Sequence, residues 1–427
     1  MTVVPYNQNI LWVSYSFPPI IDAESIQSAG YAKYMAKRGW RCFVVTSKPT
    51  NALDVNPMFQ EVLKAVVLNR VSHSNGAVRN AAKVINWLAV RLPCSCLDWL
   101  SPAYQEALRI CQKRQIAAIY TRAQPQVDSL IGLLLKRVSN LPWISHISDL
   151  WIGNPYASHN ALPHHLVNSW LEKEVMSKAD VIVLTANRTK QIYEQRYPTL
   201  ANKFRYIPHG FDPEFIGEKH NNVKFMAKGM KQVVIGHLGS LYSKRTPVPF
   251  LESFFNYQPY QSWTKQVRFE FVGHCDSAIE ESMRPWIQKG LVSVEPVVEY
   301  REGLQRLQQY DICLLLDALV DKGGVFMPSK LVEYIGTGKP ILAVTPKESE
   351  SRDIVLRAGG VACDPRDPVD LEAAMNKLAM VVSNPHSFKV PESLRVSLSL
   401  PVCAANLEAI ILNAIENRKH CKKNKAS

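Results

Sequence analysis

Three side chains of one short segment carry the most chemistry in this chain. In Phe326-Met327-Pro328-Ser329-Lys330-Leu331-Val332-Glu333-Tyr334, an amine, a carboxylate and a phenol stand at i, i+3 and i+4. On a helix opening at Ser329, that spacing puts Lys330, Glu333 and Tyr334 on one face and turns Leu331, Val332 and Ile335 to the other. The free N–H groups of a first helical turn, the helix dipole and a lysine ammonium together attract an anion. A nucleoside diphosphate suits such a site, with its phosphates at the helix start and its ribose diol donating to Glu333 one turn deeper. An exposed Lys–Glu pair on an ordinary helix has the same local pattern, so the surrounding elements must decide.

Those elements read as two α/β series. In the second, Val233–Leu238 is a strand followed by a polar loop from Gly239 that contains Lys244 and Arg245, and residues 268–272 form a strand ending at Gly273. The apolar run Ile312–Leu316 is a buried strand leading through Gly323 and Gly324 into the key segment, where Ser329 reads as the N-cap and Gly336, Gly338 and Pro340 as stop signals. The first series opens with a strand at residues 9–14, a Pro18-Pro19 loop, a helix at 25–38 ended by Gly39, and a strand at 40–46. That is one β-α-β unit of a parallel sheet. A strand at 117–120 runs into a loop at Thr121-Arg122-Ala123, and the strand at 143–148 ends in Asp149-Leu150-Trp151. His146, Ser148 and Asp149 gather polar groups at a carboxyl-end edge, where open α/β sheets hold ligands; a hydrogen-bonded core histidine is the alternative for His146. Residues 217–231 read as a linker, which divides the chain into 1–216, 232–400 and a terminal helix with a basic tail, 401–427.

Of the 427 residues, 47% are hydrophobic and 20% are charged, and the 50 Lys and Arg exceed the 37 Asp and Glu by 13. The excess favours anionic partners, but the basic residues are spread out and no base-reading motif occurs, so nucleic acid is not expected. No apolar run is long enough for a membrane span, and the first residues lack a signal-peptide pattern, which predicts a cytoplasmic protein. The nine cysteines include no C-x-x-C pair, so reduced thiols are expected, and the absence of ligand spacing predicts no metal. Residues 82–92 form an amphipathic helix, and the region up to Leu100 sets Trp87, Leu97, Trp99 and Leu100 beside Arg79, Lys83 and Arg91. With the tail Arg418–Lys425, this surface would suit peripheral contact with anionic lipid on the inner face of a membrane; a covered core helix is the alternative.

Taken in order, several segments resemble one family, the GT-B nucleotide-sugar glycosyltransferases, and within it the retaining family 4 group of bacterial polysaccharide synthesis. The segments are Ser16-Phe17-Pro18-Pro19, Ala36-Lys37-Arg38-Gly39-Trp40, Tyr120-Thr121-Arg122, Ser148-Asp149-Leu150-Trp151, Ile207-Pro208-His209-Gly210-Phe211-Asp212, and Pro328-Ser329-Lys330 with Glu333-Tyr334 and Gly338-Lys339-Pro340. The resemblance implies two Rossmann-like parallel-sheet domains facing a cleft, the acceptor on the first and the nucleotide-sugar on the second, with no cofactor and no metal. It implies catalytic roles for Lys330, Arg245 and Asp149, and donor contacts from Glu333, Ser329, Lys244, Gly239 and Gly273. Three positions depart from the family pattern. Val325 stands where a second acidic residue is common, Asp22-Ala23-Glu24-Ser25 replaces a Gly-Gly pair, and Ser148 replaces a histidine.

The expected activity is transfer of a sugar from a nucleoside diphosphate to a glycan or lipid-linked acceptor, with retention. Alternatives are a nucleotide-sugar epimerase of the same architecture and a nucleotide-sugar-binding protein of weak activity, for which Val325 is the only hint.

Overall fold

The computed structural model describes residues 8–49, 56–90, 96–154, 162–216, 232–256, 267–320, 324–384, 388 and 390–426. The chain divides into two compact units, Met1–Pro208 with Leu400–Ser427, and His209–Ser399. This differs from the sequence division, which places 209–216 with the first domain and 232–400 in the second. The expected linker 217–231 lies outside the described residues.

The first unit is a parallel sheet of β1 (Asn9–Val13), β2 (Arg41–Ser47), β3 (Val67–Val71), β4 (Ala118–Ala123), β5 (Trp143–Ile147), β6 (Val181–Leu184) and β7 (Phe204–Tyr206), in the order β3-β2-β1-β4-β5-β6-β7. β1, β4 and β5 are buried almost throughout, as strands of a parallel sheet covered on both faces are, and β4 and β5 take the polar side chains of Thr121, Arg122, Ser145 and His146 into that interior. β4 runs three residues past the expected strand, because Thr121, Arg122 and Ala123 pair with Ser145, His146 and Ile147. The Leu97–Lys113 helix takes Trp99 into the core, where its indole donates to the Val71 carbonyl at 3.1 Å.

The last helix, Leu400–Ala426, belongs to this unit. Gly30 in the Ala23–Lys37 helix leaves room for Leu400, since a Cβ there would overlap the Leu400 side chain. Further along, Glu408 accepts from the Trp40 indole at 2.8 Å and pairs with Arg38, and Arg418 pairs with Asp180 at 3.1 Å. Arg418, expected in the basic tail, is therefore an anchored helical residue.

The second unit is a parallel sheet of β8 (Val233–Leu238), β9 (Val267–Val272), β10 (Val292–Glu295), β11 (Ile312–Leu316), β12 (Ile341–Val344) and β13 (Val361–Cys363), in the order β10-β9-β8-β11-β12-β13. Its core gathers Phe250, Phe254, Phe269, Leu314 and Met375 around Ile235 and Val344. In both sheets the strand order reverses beside the first strand, between β1 and β4 and between β8 and β11. The carboxyl ends flanking such a reversal leave a crevice, the usual ligand position in open α/β sheets.

Candidate functional site

In the second unit the crevice is built from the loops after β8 and β11. The helix after β11 spans Ser329–Thr337, so the spacing of Lys330, Glu333 and Tyr334 has its expected effect. The N-cap is Pro328, not Ser329; proline's fixed φ and the extended residue it imposes before it start the helix, and Ser329 becomes its first helical residue. No side chain caps this end, so its first-turn N–H groups face the crevice without an internal acceptor, save that Leu331 N–H bonds the Pro328 carbonyl at 3.0 Å. Gly338, at φ 72°, closes the helix in the left-handed region.

Lys330 reaches across to the end of β8. A Cβ on Gly239 would overlap the Lys330 ammonium, and Gly239 holds φ 150°, so the backbone needs glycine twice over. Gly273, at φ 145°, backs onto Gly239 so tightly that a Cβ there would overlap the Gly239 carbonyl, while Gly239 N–H donates to the Val272 carbonyl at 2.8 Å. Gly273 thus supports the β8 turn from behind. Burial and the neighbouring Arg245 charge pull the Lys330 amine down to about 8, against a smaller opposing effect of Glu333.

Arg245 sits in a tight turn paired to Tyr242 through both backbone groups, and its guanidinium lies 5.2 Å from the centre of the Tyr242 ring. Its Nε is buried with no hydrogen-bond partner. Lys244 is exposed, and its carbonyl accepts from Leu319 N–H at 3.4 Å. Of the two bases in this loop, only Arg245 is electrostatically coupled to Lys330.

Glu333 is 8% exposed and accepts from the Tyr300 hydroxyl at 2.7 Å. Burial pushes its carboxyl up to about 7, and the Tyr300 hydrogen bond and Lys330 hold it from rising further. A solvated surface pair is excluded by this burial. Tyr334 is fully buried, and its hydroxyl accepts from Leu238 N–H at 3.2 Å, which ties this helix to the end of β8.

Two residues of the crevice give no signal in the sequence. His237, inside β8, is buried and bonds the Leu314 carbonyl through Nδ1 at 2.9 Å, which places the proton on Nδ1. Its Nε2 is unpartnered and lies 3.3 Å from the point a Gly239 Cβ would occupy, the same point the Lys330 ammonium crowds. Burial and the Lys330 charge push this imidazole down to about 3, so it is neutral. Asp317, just past β11, accepts from the Thr345 hydroxyl at 2.7 Å, and burial raises its carboxyl above the usual range.

In the first unit, the polar residues at the carboxyl ends of β4 and β5 are drawn together, but with divided roles. His146 is fully buried, 2.7 Å from the Tyr120 hydroxyl and 3.2 Å from an Arg122 nitrogen, which makes it a core histidine. Arg122, fully buried, donates through Nε to Glu24 at 3.0 Å and lies 5.3 Å from the Tyr31 ring centre. Asp149 accepts from the Gln124 amide at 3.3 Å; burial, with Glu24 second, raises its carboxyl to about 7. Ser148 carries a buried hydroxyl with no partner among the described residues. Across the reversal, Asp128 accepts from Tyr15 N–H at 2.9 Å, and burial lifts it well above the carboxylate range. Among the described residues, no group of three or more His, Cys, Asp or Glu is arranged to hold a metal.

No protein family and no curated protein matches the chain by sequence. Solved structures do match its fold. Sucrose-phosphate synthase from Thermosynechococcus elongatus superposes with a TM-score of 0.64 at 16% identity, covering 99% of this chain and 100% of that one. HepE of Anabaena, solved with UDP and glucose, gives 0.59 at 14% identity, covering 98% and 99%. Trehalose 6-phosphate synthase from Burkholderia multivorans gives 0.62 at 12% identity, covering 96% and 99%. The chain has the GT-B fold, two Rossmann-like parallel-sheet units of the kind these glycosyltransferases share.

Proposed function

We propose that this chain transfers a sugar from a nucleoside diphosphate donor to a glycan or lipid-linked acceptor, with retention of configuration. The observation that carries the reading is the seat of Lys330. Its ammonium rests against a glycine-only turn at the sheet reversal, beside Arg245 and an uncapped helix start, with the buried Glu333 one turn deeper. Such a seat matches a diphosphate next to a ribose.

In this reading Lys330 and Arg245 hold the diphosphate and stabilise the charge it gains as the bond from sugar C1 to oxygen breaks. The Ser329 N–H adds to the helix-start anion site, Glu333 accepts from the ribose hydroxyls, and Gly239 and Gly273 keep the turn open for the phosphates. Lys244 is exposed and contributes long-range charge. No metal is needed, since fixed cations supply the same stabilisation. Asp149 is the acceptor-side carboxyl and orients the incoming hydroxyl. UDP in the HepE complex supports a nucleotide donor, and the resemblance to retaining enzymes supports retention.

A thermal-shift screen against UDP-, GDP-, ADP-, dTDP- and CMP-sugars tests the donor, because a ligand at 100 times its Kd stabilises the fold by about 2.7 kcal/mol. Turnover with an acceptor pool, followed by the anomeric signal of the product, tests transfer and retention. An epimerase would convert the donor with no acceptor present.

A further inference from the structure

The helix Gly76–Ile85 and the π-helical turn Asn86–Val90 that extends it lie on the first unit with no buried side chain from Gly76 to Leu88. Val78, Val84, Ile85, Trp87 and Leu88 are between 51% and 65% exposed. The Leu162–Lys178 helix adds Leu162, Leu166 and Trp170 at i, i+4 and i+8, a single stripe between 55% and 70% exposed. His164 Nε2 donates to the Trp87 carbonyl at 3.0 Å, so the stripe and the turn are neighbours. Trp99, from the same stretch of sequence, is core, which leaves Trp87 and Trp170 as the aromatic residues of this surface.

The exposed charge beside the patch is mainly basic: of the acidic residues on its two elements, Glu172 is buried against Arg196 and Glu174 pairs with Arg137. Residues 71–96 and 150–171 contain no Asp or Glu. Lys83 is exposed beside the apolar residues of its helix, Lys173 is exposed one turn past Trp170, and Arg79 lies 3.5 Å from Asp98 with half its side chain still in water. A soluble protein rarely leaves a contiguous apolar surface of this kind uncovered. Amphipathic helices that combine Trp and Leu with Lys and Arg rest in the headgroup boundary of a bilayer, the aromatic rings at the interface and the cations among lipid phosphates.

We propose that the Gly76–Val90 and Leu162–Lys178 elements form a docking surface for an anionic lipid bilayer, with Trp87 and Trp170 entering the interface. The proposal stands on exposure and charge alone and does not rest on the sugar-transfer reading.

The test is flotation of the full chain with vesicles of phosphatidylcholine alone and with phosphatidylglycerol added, at low and high salt. The wild type should float with phosphatidylglycerol vesicles at low salt, and salt should weaken this. Trp87→Ser/Trp170→Ser should lower the partition at least tenfold while Tm stays within a degree or two, and Leu88→Ser/Leu166→Ser should do the same. No flotation of the wild type, or equal flotation of the variants, overturns the proposal. Equal binding to neutral vesicles overturns its electrostatic half. If the wild type fails to float but self-associates in size-exclusion chromatography, and the serine variants are monomeric, the surface is a contact between copies and the lipid reading falls.

Discussion

The Lys330 ammonium occupies the space a side chain at Gly239 would need. The two residues are far apart in sequence, one just past β8 and the other in the first turn of the helix that follows β11, and the sheet order β8-β11 brings them together. Gly239→Ala should therefore displace the ammonium, besides forcing alanine to φ 150°, a backbone strain of about 1–3 kcal/mol. Its donor affinity should fall as in Lys330→Ala, and the double variant should be little worse than either single one. Isothermal titration of the three variants with nucleotide checks this, since strongly coupled sites are non-additive. Full additivity would show that the two do not share a function.

Lys330→Ala should lower kcat/KM by a factor of about 100 to 1,000, the usual loss for one preorganised donor to developing charge. The free protein should also lose kcat/KM as pH rises past about 8, because there the Lys330 amine gives up its proton and with it the positive charge. In Lys330→Arg the guanidinium stays charged, so that alkaline limb should move to higher pH.

Glu333 predicts the opposite limb. With a carboxyl near 7, it is neutral in more acidic solution and charged in more basic solution, so donor KM should rise as pH falls below about 7. The Tyr300 hydroxyl stabilises the charged form, and Tyr300→Phe should shift the inflection upward. Glu333→Gln should remove the pH dependence and weaken nucleotide binding. Donor KM measured against pH for the three proteins separates these outcomes, and an unchanged profile in Glu333→Gln would remove the carboxylate from the donor site.

His237 should not contribute to either limb. Its imidazole is neutral at any pH where the protein would be assayed. His237→Phe strands the buried Leu314 carbonyl, a cost of about 1–3 kcal/mol that urea denaturation would read, while the acidic limb stays where Glu333 sets it.

In the first unit, Glu24→Gln should destabilise the fold by about 3–5 kcal/mol, because it removes the carboxylate that pairs with the fully buried Arg122 guanidinium. A denaturation midpoint close to wild type would show that the neighbouring Tyr120 and His146 suffice for Arg122.

Much of this was legible because parallel strands are buried on both faces and so appear as short apolar runs. Ile312–Leu316 and Val233–Leu238 stand out this way, and helical spacing puts Lys330 and Glu333 on one face. β3 shows no such run, because Asn69 and Arg70 interrupt it, although both are half-buried in the ladder. Tyr300 gives no local sign of meeting Glu333; only the packing of the Tyr300–Leu307 helix brings it there. His237 resembles any polar residue in a strand until the Lys330 seat is known. Trp87 and Trp99 look alike in sequence, and one is exposed while the other is core, a difference set by tertiary packing alone.

The return of the last helix to the first unit has a consequence for synthesis. The groove beside the Ala23–Lys37 helix, where Gly30 admits Leu400, stays open until the whole of His209–Ser399 has been translated. At ribosomal rates of about 5–20 residues per second that is a delay on the order of 10–40 seconds. The second unit is complete while the first still waits for its final helix, so the portion made first is the last to close.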